Sequence, residues 1–431
     1  PFWLKQAIRF PCLMTDSEKN CEKGASWISQ ADVLLLCTGA GFSADSGLAT
    51  YADIAKVDAY AARGLEYQDV CRPLVTEPEL FWGFWGQCFN DYRSTMPQEG
   101  YKIIDHWAET RFRHSEVAQA IQRRLAASAP NPQDNRDGST ADLEPYGVSD
   151  LAGAFFAFTS NVDAHHFDWF RASEVRECHG NTETYQCASK HGRACRRALW
   201  RAPLGFSFHV DKSSMLAPAG PAMVAATCND QEVPVDVGSN IPTDKEHLGT
   251  KKQPLPCVGN VRGGVRPGLL TFMPEAHSST ALAAAFSTNH PVCPFCNGPA
   301  RPAVLMFGDY YWQDLESQNK RWRAWQKAVK EEAADRAVHG TPLRVAILEV
   351  GAGGRAPTVR NNTESSLHSF HAAGAAARVI RVNPELPFGD KEEFGIDGAL
   401  AHLIISIPQP GLQSIGSMDV AISKGAGQSD S

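Results

Sequence analysis

The stretch Asp32–Tyr51, DVLLLCTGAGFSADSGLATY, constrains this chain more than any other. Val33–Cys37 is a short continuous apolar run, the length of a buried strand. It breaks at Gly39-Ala40-Gly41, where small residues let a backbone approach a ligand and adopt turns that other residues resist. Ser43, Asp45 and Ser46 follow, all good turn or helix-capping residues. Strand, glycine turn and helix start is the layout in which backbone N–H groups face a pyrophosphate. Many strand-to-helix turns, however, need glycine only to pack. The third glycine, Gly47, comes too late for the G-x-G-x-x-G of dinucleotide dehydrogenases.

The same alternation continues along the chain. Ala154–Ser160, Arg301–Asp309, Leu343–Val350, Ala377–Val382 and His402–Ile407 read as strands. Cys21–Gln30, Pro78–Tyr92, Ser115–Ala127 and Gln318–His339 read as helices, the second with aromatic residues at near-helical spacing that mark a core-facing side. Strands alternating with helices predict an α/β fold with a parallel, doubly wound sheet. Ligands of such sheets bind at the carboxyl ends of the strands. Four motifs fall there: Gly39–Gly41, Asn161–Asp163, Gly351–Gly354 and Asn383–Glu385. They are the evidence, independent of any family, for a nucleotide crevice. Residues 128–150 read as a polar loop, 201–290 as an insertion of loops and short strands, and 411–431 as a disordered polar tail.

At 431 residues the chain is long enough for two or three domains. A net charge of −7 argues against a broadly basic nucleic-acid surface, so no direct nucleic-acid partner is expected. No apolar run approaches the roughly 18 residues of a membrane span, so no membrane partner is expected either. Of 12 cysteines, most are scattered, and Cys37 reads as a small buried hydrophobe. Cys187/Cys195 and Cys293/Cys296 are paired, and in a long α/β chain such pairs read as metal ligands sooner than disulfides. Cys-x-x-Cys at 293/296 has zinc-knuckle spacing, and four thiolates would make a closed, structural zinc site. The spacing of the first pair is wide, and His191 between them is an alternative ligand.

His179 is the candidate for catalysis. It precedes Gly180, where a backbone can crowd a ligand, and lies between a strand-end motif and the cysteine pair. A neutral imidazole suits the removal of a proton from a sugar hydroxyl. His165 and His166 are rivals, with His166 read as structural.

GAGFSADSGL at 39–48 resembles the N-terminal signature of the sirtuins, the NAD-dependent protein deacylases. Thr159-Ser160-Asn161-Val162-Asp163 is similar to their TQNID, Cys178-His179-Gly180 to their histidine-glycine, and Arg301–Asp309 to their RPxVVxFGE. Gly351-Ala352-Gly353 falls where the family has Gly-Thr-Ser, and Val382–Glu385 resembles its INxE. Two cysteine pairs follow in the right order. The chain departs from the pattern at Ala49-Thr50-Tyr51-Ala52, which replaces Pro-x-Phe-Arg and lacks the arginine. Ser160, Asp309 and Ala352-Gly353 replace Gln, Glu and Thr-Ser, as in a divergent branch of the family.

The resemblance implies a Rossmann-like domain over 31–182 and 300–410 that carries NAD. A helical module is inserted at about 52–150, and a zinc module with its insertion spans 183–299, after a lead-in over 1–30. It implies cofactor contacts from Gly39, Ala40, Gly41, Ser43, Tyr51, Ser160, Asn161, Asp163, Gly351, Ala352, Asn383 and Glu385, and zinc on Cys187, Cys195, Cys293 and Cys296. An acyl-lysine protein or peptide would enter as an added strand, with Val304–Phe307 along its channel. The acyl oxygen would attack the nicotinamide ribose and displace nicotinamide. His179 would take a ribose hydroxyl proton so that the hydroxyl attacks the imidate, and water would then release deacylated lysine and O-acyl-ADP-ribose. A protein ADP-ribosyltransferase and a non-catalytic NAD-binding scaffold are the competing functions. An intracellular setting, cytoplasmic or nuclear, is the corresponding expectation.

Overall fold

The computed structural model describes residues 16–50, 53, 57–128, 150–189, 195, 198–224, 280–388 and 398–426. Tyr51, Ala52, His191, residues 129–149 and insertion residues 225–279 lie outside them. Eleven strands are defined among the described residues. They are β1 (Val33–Thr38), β2 (Phe155–Thr159), β3 (Val175–Glu177), β4 (Gly180–Cys187), β5 (Leu199–Arg201), β6 (Phe206–Ser207), β7 (Met223–Val224), β8 (Ala300–Val304), β9 (Arg344–Val350), β10 (Ala376–Val382) and β11 (Ile404–Ile407).

Six of them form a sheet in the order β11-β10-β9-β1-β2-β3, with every pairing parallel. The continuous apolar runs dictate this. β1 and β2 are buried at every position, as strands must be when helices cover both faces. From β1 the chain winds outward through β2 and β3, then returns to β9 and winds the other way through β10 and β11. The order therefore reverses between β1 and β9, and at such a switch point the adjacent loops diverge and leave a crevice at the strands' carboxyl ends. The architecture is the Rossmann-like α/β sheet that the sequence predicts.

The helix Glu316–Val338 shows how the pattern becomes packing. One face of it, Trp322, Trp325, Ala328 and Val329, is buried. The two indoles lie 5.7 Å apart and both pack within about 5.2 Å of Phe156 on β2. A second core lies outside the sheet. It joins the helix Pro78–Ser94, through Leu80, Phe81, Trp82, Phe84, Trp85 and Phe89, to the cysteine module, through Tyr185, Cys187, Trp200, Phe206, Phe208 and Cys293. Trp82 stacks on Phe208 at 5.3 Å, and Arg93 places two nitrogens 2.8 and 2.7 Å from the Glu183 carboxylate. The helical and cysteine segments thus share one small module with one core.

Three expectations change. Residues 99–128 do not join that module: Tyr101, Ile104, Trp107, Phe112, Val117 and Ile121 are buried in the sheet's core, because their apolar face is periodic enough to cover it. The segment expected to be a disordered polar tail is the helix Gly411–Ala426, which buries Ile415 and Met418 beside the helix Asp16–Ser29. Its apolar residues recur three to four apart among serines and glycines, which hides the stripe from a composition reading. The strand expected over Arg301–Asp309 stops at Val304. Beyond it Asp309 N–H donates to Met306 O at 3.1 Å, and the Asp309 carboxylate pairs with Arg301, which folds the segment back.

Candidate active site

The glycines at the switch point interlock the two halves of the sheet. Gly39 N–H donates to Val350 O at 3.1 Å, and Gly41 N–H to Gly351 O at 3.0 Å. A Cβ on Gly39 would sit 2.7 Å from Gly351 O, one on Gly41 2.8 Å from Gly351 Cα, and one on Gly351 2.4 Å from Phe42 N. Gly351 also has φ +64, a left-handed conformation that an L side chain resists. Glycine is needed here for backbone to meet backbone, which is the packing reading of the motif. The helix that follows, Ala40–Ala44, is only five residues long. We expect Gly351→Ala to cost about 3 kcal/mol, within the upper range of single substitutions, and to lower the melting temperature by roughly 5–10 °C. A melt within a degree of the wild type would show that the loops do not interlock.

From this platform the loops after β1, β2 and β3 converge on a narrow cleft of about 60 Å³. Ser43, Ser160, Asn161, Asp163 and His179 form its polar side, with Ala40 beside them. Ser43 Oγ donates to Asp163 Oδ2 at 2.5 Å and accepts from Asn161 Nδ2 at 2.9 Å. Asp163 Oδ1 accepts from His165 N–H at 2.9 Å. Asn161 N–H donates to Thr159 Oγ1 at 3.0 Å. Three separated sequence motifs thereby make one hydrogen-bonded unit. One atom of it is left over: Asn161 Oδ1 is buried and meets no donor. An unmet buried acceptor is costly and marks a place where a ligand N–H fits. On the apolar side, Val304 and Leu305 belong to the stretch expected along the peptide channel, while the aromatic residues were not foreseen. Tyr67, Phe84 and Trp85 come from the small module, and Leu48, Val304 and Leu305 complete the wall.

His179 is 9% exposed. Burial, helped by the Arg176 charge, holds its pKa down at about 4, so the imidazole is neutral at physiological pH. Gly180 does not crowd a ligand as expected: a Cβ there would lie 1.8 Å from Ala303 O, so the glycine serves the neighbouring strand β8. The rivals are buried elsewhere. His165 Nε2 meets Tyr92 O at 3.0 Å, and His166 Nε2 meets Thr38 Oγ1 at 2.9 Å. Burial lowers the His166 pKa to about 4 despite the nearby Asp163 charge. Two residues before His179, burial drives the Glu177 carboxyl well above the usual range against a hydrogen bond from Asn181.

The remaining predicted cofactor residues lie across the switch point. Asn383 Nδ2 donates to Ala352 O at 2.8 Å, and its Oδ1 accepts from the Glu385 and Leu386 N–H groups at 2.9 Å. Asn383 thus shapes the loop with both ends of its amide. Glu385 is exposed. Tyr51 lies outside the described residues.

The cysteine pairs meet although about a hundred residues separate them. β4 ends at Cys187 and pairs antiparallel with β8, with Cys187 opposite Ala300, so the segment before β8 brings Cys293 and Cys296 alongside. Cys293 N–H donates to Gly298 O at 2.7 Å, and Asn297 N–H to Cys293 O at 2.9 Å, closing a knuckle turn. The sulfurs of Cys187, Cys195, Cys293 and Cys296 lie within 4.8 Å of one another. Cys296 Sγ is 3.6 Å from both Cys187 Sγ and Cys195 Sγ. Four sulfurs held at about 2.3 Å from a central ion would stand about 3.8 Å apart, so the donor set fits tetrahedral zinc. Burial opposes ionisation of Cys296, but hydrogen bonds from Gly298 N–H and the neighbouring thiols outweigh it and hold its pKa near 7.

Fold and site define a class: a Rossmann-like α/β protein with a strand-end cleft at its switch point and a cysteine-cornered second module. No protein-family model matches the chain, and no curated protein matches it. Solved structures of Sir2 homologues are similar to it over nearly its whole length. A Sir2 homologue–NAD complex is 15% identical, covering 94% of both chains at a TM-score of 0.44. An ADP-ribose complex of a Sir2 homologue variant is 14% identical, over 94% of this chain and 98% of that one, at 0.42. Sir2Tm bound to a propionylated peptide is 12% identical, over 94% and 98%, at 0.38.

Proposed function

We propose that this protein is an NAD-dependent protein-lysine deacylase. The observation that carries the reading is the unmet Asn161 Oδ1 in a cleft that also holds Asp163, Ser43 and the neutral His179. A carboxamide N–H, such as that of nicotinamide, satisfies this acceptor. The Asp163 carboxylate places a negative charge beside a cationic ring and fixes Ser43. NAD, when bound, supplies an anomeric carbon that an acyl oxygen attacks as nicotinamide leaves. His179 takes the proton of a ribose hydroxyl, a role for which a neutral imidazole is competent. The aromatic wall of Tyr67, Phe84 and Trp85 holds an acyl chain, and a water admitted after the ribose hydroxyl has attacked the acyl carbon frees the lysine. β8 ends the three-stranded order β5-β4-β8, and an acyl-lysine peptide enters beside its last residue, along Val304 and Leu305 in the cleft wall. Zinc held by Cys187, Cys195, Cys293 and Cys296 leaves no open position, so it braces the small module and takes no part in the chemistry.

The test is to incubate the protein with NAD and acyl-lysine peptides and to follow nicotinamide and peptide mass together. Release of nicotinamide with equal loss of acyl mass is the expected result. Release with a gain of ADP-ribose mass on protein would assign transferase activity instead, and NAD binding without turnover would leave a scaffold.

A further inference from the structure

Thr358 belongs to none of the strand-end motifs, yet it touches the candidate base. It is the first residue of the helix Thr358–Ala372 and ends the loop that leaves β9. β9 and β3 lie on opposite sides of β1, so this loop reaches His179 across the switch point. Thr358 Oγ1 stands 3.2 Å from His179 Nε2. The backbone of His179 is fixed independently: its carbonyl accepts from Leu305 N–H at 2.9 Å, and Cys178 N–H donates to Thr159 O at 2.8 Å. A fixed backbone leaves the ring free to flip about its last torsion, and a neutral imidazole has one N–H and one acceptor nitrogen. The hydrogen bond at one nitrogen decides which carries the proton.

We infer that Thr358 is a positioning residue for His179, its hydroxyl donating to Nε2 so that Nδ1 keeps the proton and Nε2 presents the lone pair. Before substrate binds, the hydroxyl occupies the Nε2 lone pair and keeps the ring in the Nδ1–H tautomer, and a ribose hydroxyl takes its place when it hands over its proton. The effect on turnover rests on the deacylase reading, but the effect on the ring does not.

Two readouts keep these apart. The full-length protein is labelled with ¹⁵N-histidine, and the His179 signals are assigned by their loss in His179→Asn. Wild type and Thr358→Ser are expected to show the Nδ1–H tautomer. Thr358→Val, which keeps the shape and removes the hydroxyl, is expected to show a mixture. An unchanged tautomer in Thr358→Val overturns the inference whatever happens to activity. In the deacylation assay Thr358→Val should lower kcat by up to about a hundredfold, the cost of a misplaced catalytic group, with the peptide KM unchanged and Thr358→Ser restoring the rate. A changed tautomer in a protein that never consumes NAD would uphold the positioning role and sink the deacylase reading instead.

Discussion

Replacing His179 with alanine is expected to lower NAD-dependent deacylation by a factor of about 10²–10⁴, the usual contribution of a positioned general base. The expectation follows from place and charge. His179 lines the one described cleft that also holds Ser43, Asn161 and Asp163. NAD binding should survive, because Ser43 bonds Asn161 and Asp163 into one unit. The pH profile gives a sharper check. With its pKa lowered to about 4, first by burial and then by Arg176, the imidazole keeps its lone pair as the pH falls through 6 and loses it near 4. The free-enzyme limb of kcat/KM assigned to this group should therefore lie near pH 4, well below the ordinary histidine value of about 6.5. A His179→Ala variant that consumes NAD at the wild-type rate would remove His179 from the chemistry. A limb near 6.5 that vanishes in the variant would keep His179 as the base but show that the ring is solvated.

Much of this site was legible because strand ends announce themselves. A buried strand followed by small or polar residues occurs at Gly39, Asn161 and Gly351, and the sheet order turns those separate sites into neighbours. The meaning of the glycines was not legible. Gly39 and Gly41 read equally as room for a ligand or for packing, and Gly180 as room for a ligand, and the structure gives that room to Gly351 and Ala303. A sequence shows that a side chain is missing and not what fills its place. Thr358 and the aromatic wall were invisible for a related reason. Thr358 reaches His179 from a helix start 179 residues later, and Phe84 and Trp85 carry the same periodicity whether they face a core or a cleft. The helix Gly411–Ala426 was missed because its apolar stripe is thin and interrupted by glycine and serine. Tertiary burial, not composition, orders it.

Zinc removal should produce the other large effect, and the two cores determine its form. Purified protein is expected to carry about one zinc ion per chain. A strong chelator, or Cys293→Ser, should unfold the small module while the six-stranded sheet stays intact. Structural zinc in finger peptides is worth roughly 10–16 kcal/mol, as much as the whole stability of a typical domain. Cys187, Cys195 and Cys293 are members of the core that holds the helix Pro78–Ser94, separate from the core around the sheet. Losing the ion leaves three buried thiols in place of a crosslink between β4 and the knuckle before β8. Trp82, which stacks on Phe208 and Tyr185 in that core, should report the change in near-ultraviolet circular dichroism while most far-ultraviolet signal remains. Phe84 and Trp85 wall the cleft from the same helix, so deacylation should disappear with the metal although no zinc ligand lines the cleft. A zinc-free preparation with an unchanged melt and unchanged tryptophan signal would show that the four thiols are a packed cluster and not a metal centre. Loss of the whole fold in one step, sheet included, would show instead that the two cores are energetically one.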